Sequence, residues 1–177
     1  MPKFLSCLPT KRDLSDESLL AENGNTKVIK GCTFCDVSVE KGFGVIHEDD
    51  GLIAFHDRTP RATIHLLIIP RLHEVSSVRQ LTKAHLPLVR SMINVAHSLV
   101  PESPPPKMGF HIPPFSSVPH LHLHVFSGEH TFIGKLKYPI TGNRRQSEKG
   151  LGWFVTAEQV EHTLQNGRTV GLGRGSS

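Results

Sequence analysis

No stretch of this 177-residue chain approaches the roughly 20 consecutive apolar residues that a bilayer-spanning helix needs, which excludes membrane spanning by a helix. The opening segment MPKFLSCLPTKRDLSDESLLAEN also lacks the apolar core of a secretory signal. Its Asp13, Asp16, Glu17 and Glu22 argue against a mitochondrial transit peptide, which is normally poor in acids. An intracellular protein, cytoplasmic or nuclear, is expected. Cysteine is scarce at three residues. Two of them, Cys32 and Cys35, have a Cys-x-x-Cys spacing that fits metal binding or redox chemistry better than an extracellular disulfide framework, and Cys7 reads as a bystander thiol. Long basic blocks are absent as well. The net charge of +4 comes from scattered Lys and Arg with no zinc-finger, RNP-like or basic-helix motif beside them. Such an excess suits phosphate-bearing ligands, and dedicated nucleic-acid binding is not expected.

With 37% hydrophobic and 20% charged residues, the chain has the composition of one globular domain with a real core. Residues 1 to about 30 mix charges, Ser, Asn and Gly without periodicity, which predicts a disordered leader before a domain at 31–166. Gly167 to Ser177, with little to bury, is expected to be a disordered tail. Gly44 to Glu48 and Leu52 to Asp57 flank Asp49-Asp50-Gly51 and predict a hairpin with a tight turn. Thr63 to Pro70 reads as a buried strand ended by a proline. Between Leu81 and Val100, apolar residues from Leu88 onward recur at three- and four-residue spacing. They predict the long helix, its regular part beginning near Pro87 after a separate turn. Lys107 to Ile112 and His120 to Phe126 are read as strands separated by Pro113-Pro114. Thr156-Ala157-Glu158-Gln159 is a capping box opening a short helix to about Asn166.

The run His120-Leu121-His122-Leu123-His124-Val125-Phe126 points to chemistry. Side chains alternate faces along a strand, so the three histidines share one surface while Leu121, Leu123 and Val125 enter the core. The spacing alone leaves open a ladder of solvent-facing histidines or a metal site. A third reading is catalytic. A neutral imidazole is a competent nucleophile, and its attack on phosphorus gives a phosphoramidate that water later opens. Neighbouring imidazoles can polarise the phosphate and protonate the departing atom.

On these residues the chain resembles the histidine-triad nucleotide hydrolases and transferases, whose signature is His-φ-His-φ-His-φ-φ with φ apolar. Three further matches stand in the family's order: Cys32-Thr33-Phe34-Cys35, Leu52-Ile53-Ala54-Phe55-His56-Asp57, and Ile64-His65-Leu66-Leu67-Ile68-Ile69-Pro70-Arg71-Leu72-His73. The resemblance covers about Gly31 to Asn166. Met108-Gly109-Phe110-His111-Ile112-Pro113-Pro114-Phe115 and Trp153-Phe154-Val155-Thr156 look most like the branch called histidine triad nucleotide-binding protein 3.

The resemblance implies an α+β fold, an antiparallel sheet with one long helix packed on it and a short C-terminal helix, paired as a homodimer in the family manner. It implies hydrolysis of the P–N or P–O bond at the α-phosphate of a small purine nucleotide conjugate, such as an adenosine phosphoramidate or an acyl-adenylate. His122 takes the place of the nucleophile, oriented by the backbone carbonyl of His120. His124 and Ser117 correspond to positions that hydrogen-bond the phosphate and leaving group, and His65 to a histidine beside the site. Asp57 matches the acid that binds ribose hydroxyls, while Phe55 and His56 match residues lining the nucleoside pocket. Read without the resemblance, Phe55 is a core aromatic, His56 and Asp57 end a strand in a turn, and Ser117 is a loop hydroxyl.

The resemblance further implies a structural zinc on Cys32, Cys35, His73 and His120, with no metal required for the chemistry. The Cys-x-x-Cys spacing by itself leaves a redox dithiol or two unpaired cysteines open. In place of the Asn and Gly-rich stretch of many small family members, this chain has Phe110-His111-Ile112-Pro113-Pro114-Phe115-Ser116-Ser117 before the triad. Two prolines donate no amide, so phosphate contacts here are expected to differ. The loop from Pro139 to Gly150, with Arg144 and Arg145, is read as either a lid or a disordered insertion. Competing readings are a DNA-adenylate hydrolase of the aprataxin type and a non-catalytic nucleotide-binding scaffold.

Overall fold

The computed structural model describes residues 28–138 and 153–171. The expected leader up to residue 27, the 139–150 loop and the tail beyond 171 therefore lie outside the described residues. Within them, six strands form one antiparallel sheet: β1 (Val45–Glu48), β2 (Leu52–His56), β3 (Ala62–Pro70), β4 (Lys107–His111), β5 (Leu123–His130) and β6 (Phe154–Thr156). Their spatial order is β1-β2-β3-β5-β4-β6. The long helix α1 (Leu86–Leu99) and the short C-terminal helix α3 (Ala157–Gln165) pack against the sheet and each other, and a short α2 (Phe132–Lys137) follows β5. The expected α+β architecture is present.

Local chemistry accounts for the elements. The β1–β2 turn is closed by Asp49, whose Oδ1 accepts from the amides of Gly51 at 2.8 Å and Leu52 at 2.7 Å. Gly51 is not among the positive-φ glycines, so side-chain closure rather than left-handed backbone makes this turn. The central strand β3 buries both faces. Leu66 and Ile68 join Val89 and Met92 in the core under the helices, while Leu67 and Ile69 pack with Phe55 on the opposite face. Two buried faces explain a continuous apolar run without alternation. Pro87 sits in the first turn of α1, preceded by a 3-10 turn at Lys83–His85 in which the Thr82 amide donates to His85 Nδ1 at 3.0 Å.

The capping box of α3 is formed: Gln159 Oε1 accepts from the Thr156 amide at 3.0 Å and Thr156 Oγ1 from the Gln159 amide at 3.2 Å. Gly167, at φ 69°, ends this helix in the left-handed conformation and turns the chain back, so that Val170 is buried in the main core. Packing thus continues past the expected boundary at Asn166.

The histidine run departs from its expected form. Regular pairing begins at Leu123 and continues to His130, so His120 to His122 precede the strand. Its neighbour β3 ends at Pro70, and the last pair between the two is Ile68 with Leu123. Beyond it, the Leu121 amide donates to the Val75 carbonyl at 3.1 Å instead. Alternation still holds: Leu121, Leu123 and Val125 lie in the helix-side core. The three histidines on the other side are buried rather than solvent-facing.

Strand β6 and helix α2 had no distinct signal in the sequence. β6 completes the sheet on β4, with Gly109 opposite Thr156 and His111 opposite Phe154. Glycine is required at 109, because a Cβ there would stand 2.4 Å from the Val155 carbonyl oxygen and 2.5 Å from the Phe154 ring. Gly109→Ala is expected to destabilise the protein by about 1–3 kcal/mol through overpacking, measured as a lower urea midpoint, and to disturb His111, whose ring meets that of Phe154.

Candidate active site

Three adjacent strands bring histidines together on the sheet face opposite α1 and α3. On β5, His124 lies opposite Leu67 of β3 and Gly109 of β4. His65 and His111 stand two residues from those partners, at the diagonal positions where long side chains on one face meet. Their rings are hydrogen-bonded in a row: His65 Nε2 to His124 Nδ1 at 3.0 Å, and His124 Nε2 to His111 Nδ1 at 3.1 Å. Phe126 stacks on His65 with centroids 4.4 Å apart, and the Tyr138 ring lies 4.9 Å from His111 and 5.1 Å from His124. This apolar casing desolvates the imidazolium form and pushes His65 and His111 down to about 4 and His124 well below its ordinary value. The Asp57 carboxylate raises His65, but burial outweighs it.

His122 is next to this row, its ring 5.1 Å from that of His124. Its Nδ1 lies 2.6 Å from the backbone carbonyl of His120. A carbonyl only accepts, so Nδ1 carries the proton and Nε2 keeps its lone pair. Burial also lowers the pKa of His122, which favours the neutral ring. Phe34, from the 3-10 turn Thr33–Asp36, meets the ring edge-on at 5.4 Å. A small cavity beside His122 is lined by Ser77, His111, Ser116 and His120.

The other named residues are placed unevenly. Phe55 is buried, held edge-on by Phe34 and Phe43 at 5.5 and 5.2 Å, so it sits as a core aromatic. His56 is exposed at the end of β2, its amide donating to the Gly44 carbonyl. Asp57 accepts from the Thr59 amide at 2.7 Å through Oδ1, and its Oδ2 lies 3.6 Å from His65 Nε2. Ser117 is exposed in the β4–β5 loop, whereas its neighbour Ser116 lines the cavity and donates to the Val118 carbonyl at 3.1 Å. Sequence reasoning gave no role to His111, Phe34, Ser116 or Tyr138. The signal for His111 was a lone imidazole closing an apolar strand.

A second cluster lies on the other side of His122. Cys32, Cys35, His73 and His120 each offer one ligand atom, all within 4.8 Å of one another. Sulfur and nitrogen are 3.5 Å apart for Cys32 and His120, 3.2 Å for Cys35 and His73, and 3.7 Å for Cys35 and His120. A tetrahedral zinc with ordinary Zn–S and Zn–N bonds separates such donors by about 3.6 Å, so the set fits a metal. Tautomers fit too. His120 Nε2 donates to the Pro70 carbonyl at 2.8 Å, leaving Nδ1 unprotonated toward the sulfurs. His73 Nδ1 faces Cys35 while its Nε2 lies 3.0 Å from Ser76 Oγ.

The architecture and the site together define a small α+β domain whose antiparallel sheet gathers buried, neutral imidazoles around one nitrogen lone pair. The family model described as scavenger mRNA decapping enzyme C-term binding matches residues 31–137. Adenosine 5'-monophosphoramidase HINT3 of Xenopus tropicalis is 34% identical over 143 residues, which cover 76% of this chain and 87% of that protein. The bifunctional adenosine 5'-phosphosulfate phosphorylase/adenylylsulfatase HINT4 of Arabidopsis thaliana is 36% identical over 140 residues, covering 75% and 90%. The crystal structure of a HIT family hydrolase from Legionella pneumophila Philadelphia 1 matches with a TM-score of 0.51 and 27% identity, covering 57% of this chain and 96% of its own. The chain belongs to the histidine-triad family and is HINT3-like within it. No helix among the described residues is long and apolar enough to cross a membrane.

Proposed function

We propose that the protein hydrolyses the P–N or P–O bond at the α-phosphate of adenosine phosphoramidates or acyl-adenylates, through a nucleotidyl intermediate on His122. The observation that carries this reading is the 2.6 Å hydrogen bond from His122 Nδ1 to the His120 carbonyl, which keeps the lone pair on Nε2. Nε2 attacks the α-phosphorus and the bond to the leaving nitrogen or oxygen breaks; a leaving amine takes its proton from solvent water, and a leaving carboxylate departs as the anion. Water then attacks the same phosphorus, and the P–N bond to His122 breaks to release the nucleoside monophosphate. His124 hydrogen-bonds the phosphate and leaving group, with Ser117 reaching the leaving group from the loop and His65 supporting His124 from behind. Asp57 binds ribose hydroxyls once its contact with Thr59 is exchanged, and His56 and Phe55 border the nucleoside.

The named activity of the HINT3 relative supports this reading. Isothermal titration with AMP beside turnover of a fluorogenic adenosine phosphoramidate tests it, with a DNA-adenylate substrate as the competing arm. Turnover of the small conjugate is expected. Tight AMP binding without turnover would make the protein a nucleotide-binding scaffold instead, and preference for adenylated DNA would make it an aprataxin-type enzyme.

The second cluster is read as a structural zinc site, with Cys32, Cys35, His73 and His120 as its four ligands. When bound, the metal ties the N-terminal turn carrying Phe34 to the segment before His122, and it supplies no step of the chemistry. A reducing compartment, cytoplasm or nucleus, suits paired thiolates kept for a metal. Protein purified without chelator is expected to hold about one zinc per chain. Cys35→Ser should remove it and cost about 3 kcal/mol, a drop of ~6–12 °C in melting temperature. Well under one zinc per chain in the unaltered protein contradicts the assignment. The homodimer belongs to the same reading, and light scattering on the full chain tests it.

A further inference from the structure

We infer that His111 is a positioning residue for this chemistry: it holds His124 in the tautomer that carries its proton on Nε2. The inference rests on the hydrolase reading above and concerns a residue outside the triad.

Each ring in the row His65–His124–His111 is buried and uncharged, so each carries one proton and one lone pair. A row of neutral imidazoles can then point its protons in only one of two directions. The ends decide which. At the His111 end, the backbone carbonyl of Lys137 favours a proton on the ring. His111 Nδ1 faces His124, so that proton sits on Nε2 and Nδ1 is the acceptor. At the other end, His65 Nδ1 has no hydrogen-bond partner among the described residues. A buried N–H without a partner is costlier than an under-used acceptor, so Nδ1 is the bare atom and Nε2 carries the proton. The Asp57 carboxylate, 3.6 Å from His65 Nε2, favours the same placement. All three observations give one direction: His65 Nε2–H donates to His124 Nδ1, and His124 Nε2–H donates to His111 Nδ1.

This direction bears on the reaction because His111, His122 and His124 each present a ring nitrogen within 4.8 Å of the others. His124 therefore aims an N–H, not a lone pair, at the space beside the His122 nucleophile. A phosphate oxygen arriving there takes the place of His111 Nδ1 as acceptor, one acceptor for another, and no proton has to move first. Without His111, the Nδ1–H form of His124 becomes accessible, and its Nε2 lone pair would face the anionic phosphate.

Long-range proton–nitrogen correlation spectra of the histidine-labelled full chain read each ring's tautomer without substrate. The unaltered protein is expected to show His124 and His65 as Nε2–H. His111→Leu is expected to populate the Nδ1–H form of His124 and to lower kcat on the adenosine phosphoramidate by about 10–100-fold while KM changes by less than about 3-fold. His111→Asn places an amide oxygen near the position of Nδ1 and should recover most of kcat. An Nδ1–H tautomer of His124 in the unaltered protein overturns the inference, whether or not the variants fold. So does a His111→Leu protein with unchanged kcat. The expected spectrum with no turnover by the unaltered protein sinks the hydrolase reading alone.

Discussion

His122→Ala is expected to lower turnover of an adenosine phosphoramidate by roughly 10⁴-fold or more, with the fold retained. The magnitude follows from what the ring supplies. Its Nε2 lone pair is presented to the site because the other ring nitrogen is locked to a backbone carbonyl, through the 2.6 Å bond to His120. Alanine removes the nucleophile and leaves His124, His65 and His111 hydrogen-bonded to one another, so binding of AMP should change far less than kcat. The comparison separates two functions of one segment. His120→Ala keeps the backbone carbonyl that orients His122 but removes a candidate metal ligand, so it should act on stability and zinc content before it acts on chemistry. Near-normal turnover by His122→Ala would falsify the proposed mechanism.

Acidification is the second large effect. His65 and His111 are held at about 4 in the folded protein by burial, against about 6.5 in the unfolded chain. Between those values the unfolded chain binds protons that the folded chain refuses, so stability falls as pH falls. The stabilisation is complete above about pH 6.5, declines toward pH 4, and has no further contribution from these two groups below that. At about 1.4 kcal/mol for each unit of displacement, the two histidines together represent several kcal/mol. Urea unfolding at pH 7, 5.5 and 4 should show a steep loss of midpoint, and His111→Asn should reduce the slope. A midpoint that does not move between pH 7 and 4 would contradict the buried neutral row.

The same residues show what the sequence discloses and what it hides. Local signals were legible: the capping pair Thr156 and Gln159, the proline opening α1, and the apolar run of β3 all depend on neighbours within a few positions. Alternation along His120 to Phe126 correctly put Leu121, Leu123 and Val125 in the core. It did not reveal that pairing starts only at Leu123, because that depends on where β3 stops pairing with it, at Ile68, far earlier in the chain. His111 escaped for a related reason. Its partnership with His124 is a diagonal across two strands, set by the register of Gly109 against His124. β6 is three residues long and is held by an edge that only the folded sheet provides. The resemblance to a family supplied residues such as Phe55 and Ser117. The structure surrounds Phe55 with aromatic neighbours and leaves Ser117 exposed, beside a Ser116 that lines the cavity.

The covalent bond from His122 to the nucleotide is the step on which the other residues' roles depend. It is tested most directly by mixing the full chain with an adenosine phosphoramidate, quenching in alkali, where a phosphoramidate to histidine survives, and mapping the modified peptide by mass spectrometry. An adenylyl group is expected on His122 and absent from the His122→Ala protein. An adenylyl group on any other residue of a protein that turns over normally would contradict it.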